Sequence, residues 1–69
     1  MDDIRFIVGT KIKNLRTTQG VTQEELAERT GIDYKYIQKI EGKNPPNIQV
    51  NTLQRIAKVL KTTPANLLK

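Results

Sequence analysis

A chain of 69 residues is one small domain's length, and 36% hydrophobic composition leaves a core that only compact packing stabilises, so a large catalytic cleft is not expected. Cysteine and histidine are both absent, which removes disulfides, thiolate metal sites, the commonest metal ligand and the commonest general base. A net charge of +5, with a pI near 9.8, is the balance expected of polyanion binders, and also one that many small soluble proteins carry as a solvated surface.

The chain opens Met1-Asp2-Asp3, acidic where a signal peptide is basic, and no apolar run nears the roughly 18 residues of a membrane span; a soluble cytoplasmic chain is the expectation. Ile4, Ile7, Val8, Ile12 and Leu15 follow one helical face, which predicts a first helix over about 3–18 with Asp2 or Asp3 as its cap. Gly20 ends it, since glycine takes positive φ without a Cβ clash. Thr22-Gln23-Glu24-Glu25 has the spacing of a capping box and opens a second helix to about residue 29. The acids at its start suit the positive end of the helix dipole.

Thr30-Gly31-Ile32-Asp33 interrupts the pattern, with Gly31 for the reversal and Asp33 to cap a third helix over about 33–41. Ile37 and Ile40 give that helix a narrow apolar face and leave Tyr34, Lys35, Gln38 and Lys39 on other faces. Gly42 closes it. The stretch from Lys43 to Asn47 is a loop, because Pro45 and Pro46 lack N–H donors and bias Asn44 away from helix. Val50, Leu53, Ile56, Ala57 and Leu60 resume the helical period to about residue 61, and Thr63-Pro64 starts a short last helix ending in Leu67 and Leu68. Neither a repeat nor a strand is expected.

Charge is unevenly spread. Residues 1–41 balance to zero, whereas residues 42–69 contain Lys43, Arg55, Lys58, Lys61 and Lys69 with no acid. Glu24, Glu25 and Glu28 cluster on the second helix, and Lys35 and Lys39 share a face of the third.

Two short helices joined by a four-residue turn containing glycine suggest a helix-turn-helix, although αα-corners of that length also occur in proteins that bind nothing charged. Ala27, four before Gly31, is small enough for the helices to approach closely. The run Leu15-Arg16, Gly20, Thr22-Gln23, Leu26-Ala27, Thr30-Gly31-Ile32, Ile37, Ile40-Glu41-Gly42, Thr52-Leu53, Ile56-Ala57 and Leu60 resembles the phage-repressor-type (XRE, lambda-repressor-like, Cro/C1-type) helix-turn-helix family over nearly the whole chain.

The resemblance implies an all-α five-helix bundle at 1–69, with its helix-turn-helix at about 22–42. It also implies a homodimer, a third helix in the DNA major groove and a second helix across the backbone. By position, Tyr34, Lys35, Gln38 and Lys39 would read bases, lysine donating to guanine and tyrosine or glutamine to an adenine edge or a phosphate. Gln23 and the backbone donors around Thr22 would hold a phosphate, as would Lys43 and Asn44 after the third helix. Tyr36 has two readings: a phosphate contact, or a half-buried ring with a wet hydroxyl. Arg16 and Glu41 match a pair that ties the first helix to the end of the third, a structural role, as are those of Ala27 and Gly31. The loop after Gly42 is longer than the family's commonest form, so the fourth helix starts anywhere from Gln49 to Asn51. Asp33 would repel phosphate unless engaged as a cap, and the acidic run should face away from DNA.

The implied function is a prokaryotic or phage transcriptional regulator, repressor-like, acting in the cytoplasm at the nucleoid on a palindromic double-stranded operator. Few base pairs are read per helix, so a symmetric dimer through the C-terminal helix, at Leu67 and Leu68, is expected. No metal, cofactor, membrane or small-molecule ligand is expected, and with no group poised near neutral pH the chain is not expected to be an enzyme. The alternative is an antitoxin-like or anti-repressor module that turns the same fold to a protein partner.

Overall fold

The computed structural model describes residues 3–69; Asp2, the other candidate for the first cap, lies outside the described residues. Five helices follow in order: α1 (Ile4–Thr18), α2 (Gln23–Thr30), α3 (Tyr34–Ile40), α4 (Val50–Val59) and α5 (Pro64–Leu67), with no strand among the described residues. None is long and apolar enough to cross a membrane.

Local chemistry sets most of the boundaries. The Asp3 carboxylate accepts from the Arg5 N–H at 2.9 Å and starts α1. At α2 the capping box is complete: the Thr22 hydroxyl accepts from the Glu25 N–H at 3.0 Å and the Glu25 carboxylate from the Thr22 N–H at 3.2 Å. Gly31 turns the chain at φ 74°, and the Ala27 carbonyl accepts from the N–H groups of both Gly31 and Ile32. Asp33 caps α3 by accepting from the Lys35 N–H at 2.8 Å. Thr63 caps α5 ahead of Pro64. The exception is α4, which begins at Val50 after Gln49 without a side-chain cap, held instead by its buried face.

Every helix contributes to one core. Ile12 from α1, Leu26 from α2, Ile37 and Ile40 from α3, Ile56 from α4 with Leu60 just past its end, and Leu67 from α5 are fully buried. Each such side chain stabilises the fold by roughly 1.5–3 kcal/mol through the water it sheds. Three apolar positions depart from the pattern read in sequence. Ile4, in the first turn of α1, projects past the core and is 51% exposed, and Val50 is 79% exposed because Ile48, in the extended approach to α4, takes the inward place. At the C-terminus Leu67 is wholly internal while Leu68 is 46% exposed, so Leu67 is not available to a second chain.

Two features set α3 against the rest. Gly9 of α1 is buried, and a Cβ there would run into the backbone carbonyl oxygen of Ile40, so α1 and the end of α3 meet backbone to backbone. The loop from Glu41 to Gln49 is drawn over the same end by the Tyr36 hydroxyl, which donates to the Asn47 carbonyl at 3.3 Å. Gln19, after α1, donates its amide to the Leu60 carbonyl at 2.7 Å and joins the ends of α1 and α4.

Candidate nucleic-acid interface

With Ile37 and Ile40 turned inward, α3 presents Tyr34, Lys35, Gln38 and Lys39 to solvent. Neither lysine takes part in an ion pair among the described residues, so both ammonium groups are available to an outside anion. Tyr34 is 39% exposed, and its hydroxyl accepts from the Gln38 amide at 3.2 Å, one turn along the same face. Asp33 beside them is engaged as the cap.

At the start of α2, Thr22, Gln23 and Tyr34 border a depression of about 390 Å³ together with Arg16 and Glu24. The N–H groups of Gln23 and Glu24, in the first turn, have no partner within the helix. Glu24 thus stands on the same rim as Gln23 and Tyr34, against the expectation that the whole acidic run turns elsewhere. Glu25 is drawn away into the capping box and toward Arg29, 3.5 Å off.

Behind the depression lies a buried polar knot. Arg16 forms a two-pronged ion pair with Glu41, its Nε and one terminal nitrogen donating at 2.8 and 2.9 Å, and its other terminal nitrogen donates to the Val21 carbonyl at 2.8 Å. The side chains are 10% and 2% exposed. Hydrogen bonding to Glu41 raises the Arg16 guanidinium above its ordinary value. Gln23 joins the knot, its amide donating to Glu41 at 3.0 Å, which leaves it one N–H and its oxygen. Sequence reasoning sent Gln23 toward DNA and missed this third partner; its position in the first turn of α2, with no spacing rule linking it to residue 41, offered no signal.

Lys43 and Asn44 are exposed on the loop beyond α3, at the edge of a depression of about 550 Å³ bordered by Arg5, Phe6 and the two prolines. Lys43 also borders a second depression, of about 390 Å³, with Thr10, Lys13 and Asn14 of α1. Those three polar residues were not singled out in the sequence, because only the seating of α1 on α3 brings them beside the loop. Tyr36 is half-buried against the core, its hydroxyl holding Asn47. No group of histidine, cysteine, aspartate and glutamate able to hold a metal is present among the described residues.

Comparison with known proteins agrees with this architecture. Residues 12–67 match the family described as helix-turn-helix. The chain is 35% identical over 66 residues to the control protein C.SmaI of Serratia marcescens, covering 96% of this chain and 77% of that protein. Among solved structures, a hypothetical transcription factor from Neisseria superposes with a TM-score of 0.90 at 30% identity, over 97% of this chain and 76% of that one. The biofilm master regulator SinR, solved in complex with DNA, superposes with a TM-score of 0.85 at 31% identity, over 90% of this chain and 98% of that one. The turn at Gly31, the capped α2 and α3 and the match along residues 12–67 make this chain a member of the helix-turn-helix family, of the XRE, lambda-repressor-like type.

Proposed function

We propose that this chain is a sequence-specific DNA-binding transcriptional regulator of prokaryotic or phage type, with residues 1–69 acting as one DNA-binding unit in the cytoplasm. The observation that carries the reading is the outer face of α3, where Lys35 and Lys39 stand beside Tyr34 and Gln38 while Ile37 and Ile40 anchor the helix from behind. A helix displayed in this way fills a major groove, and its side chains meet base edges. Gln23 and the first-turn N–H groups of α2 hold a phosphate on one side, and Lys43 and Asn44 hold the backbone on the other. The relative solved with DNA supports the same partner here.

One such helix reads too few base pairs to select a site in a genome, so the chain acts as a symmetric dimer on a palindromic operator. Leu68 is the C-terminal contact. It lines an apolar groove of about 150 Å³ with Ile4, Val8, Ile48 and Leu53. A second reading, a module that binds a protein partner, draws support from the same groove.

Titration against duplex DNA at stepped ionic strength separates the two. Lysine–phosphate contacts make log K fall linearly with log salt, whereas an apolar protein interface barely responds. Lys39→Ala should lose on the order of 1–3 kcal/mol on the selected operator and relax its base preference, while Lys43→Ala should weaken all duplexes alike and reduce the salt slope by about one unit. A sequence-selective loss for Lys43→Ala would overturn its assignment to the backbone.

A further inference from the structure

We infer that Tyr34 and Gln38 form a single reading unit for adenine, in which a phosphate contact made by Tyr34 sets which way the Gln38 amide faces. This rests on the DNA-binding reading above and adds to it a base and a positioning residue. The amide of Gln38 leans one turn back along α3 and donates to the Tyr34 hydroxyl at 3.2 Å. Tyr34 in turn borders the depression at the start of α2, beside Thr22 and Gln23, where the phosphate is expected.

The directions of these hydrogen bonds make the link. A hydroxyl can donate one hydrogen bond and still accept another, and a phosphate oxygen only accepts. Once Tyr34 donates to a phosphate, the same hydroxyl must accept from its neighbour. The neighbour is the Gln38 NH₂ group. That fixes the amide with nitrogen toward Tyr34 and leaves toward the groove one N–H and the side-chain oxygen, a donor beside an acceptor. Adenine presents the complement, its N7 accepting and its N6 amino group donating, whereas guanine presents two acceptors and would set O6 against the Gln38 oxygen. Without Tyr34 the amide turns over freely, and its two hydrogens suit guanine as well. Tyr34 is therefore a positioning residue and Gln38 the one that touches the base.

Selection of bound duplexes from random DNA, followed by competition between single-base variants of the selected site, tests the pair. The wild-type chain should require adenine at one position of each half-site, preferring it to guanine by at least about tenfold, and 7-deazaadenine there should weaken binding. Gln38→Ala should abolish the preference and the 7-deaza effect. Tyr34→Phe should cut the adenine-over-guanine ratio at that same position to about threefold or less and leave every other position's preference intact, and the double variant should match Gln38→Ala at that position. Both side chains are exposed, so thermal midpoints close to wild type should accompany these changes. A Tyr34→Phe variant that loses affinity equally on all duplexes with an unchanged ratio overturns the coupling, as does a site with no adenine requirement traceable to Gln38. A wild-type chain that binds no duplex overturns the DNA-binding reading itself.

Discussion

Removing the Arg16 guanidinium would leave the Glu41 carboxylate, 2% exposed, with only the Gln23 amide among its side-chain partners and would strip the Val21 carbonyl of its donor. An uncompensated buried charge costs about 3–5 kcal/mol, and a domain of this length has only about 3–10 kcal/mol in total. Arg16→Ala should therefore be largely unfolded by circular dichroism at room temperature. Replacing both partners at once, Arg16→Met with Glu41→Leu, should recover much of the loss, since the net worth of such a pair over apolar side chains is small. At the other end of α1, hydrogen bonds from Arg5 hold the Asp3 carboxyl down from 3.8 to about 2. Its folded value lies below its unfolded one, so its contribution to the cap is present above about pH 4 and is lost as pH falls toward 2. Carbon-detected titration should place the Asp3 midpoint near 2, with the Arg5 amide shift following it.

Among the helices, Gly31 and Gly9 should respond differently to one methyl group. At Gly31 a Cβ meets nothing within 4 Å, so Gly31→Ala pays only for the left-handed backbone, about 1 kcal/mol. At Gly9 the methyl meets the Ile40 carbonyl, which is backbone and cannot swing aside; Gly9→Ala should cost about 1–3 kcal/mol despite alanine's better helix propensity. Denaturant midpoints for the two variants test the ordering. Gly31 was legible in the sequence and Gly9 was not, for a physical reason. A cap or turn is written in three or four adjacent residues, which is why Thr22, Asp33 and Thr63 could be read directly. Gly9 matters because of residue 40, Gln23 because of residue 41 and Val50 because Ile48 displaces it, and no local pattern encodes such pairings. The exposed face of α3 fell between these cases: periodicity identified it, but the bond between Tyr34 and Gln38 required the folded helix.

For the molecule as a whole, the adjacent leucines Leu67 and Leu68 let folding be tested apart from the proposed association. Leu67 is fully internal, so Leu67→Asp should unfold the chain. Leu68→Asp should leave far-UV circular dichroism nearly unchanged and, under the proposed dimer, shift sedimentation equilibrium toward monomer; a dimer that survives would move the contact elsewhere. The excess positive charge lies in residues 42–69, so under the proposed reading that part of the chain adds to the pull on a polyanion.

The bare backbone contact between Gly9 and Ile40 bears on how operators are accommodated. At that point no side chain stands between α1 and the Ile40 carbonyl, so there is no rotamer change by which the end of α3 could be re-seated on α1. Under the proposed dimeric reading, misfit in groove width or half-site phasing then falls to the double helix, and bendable sequence between half-sites should be part of what selection from random duplexes recovers.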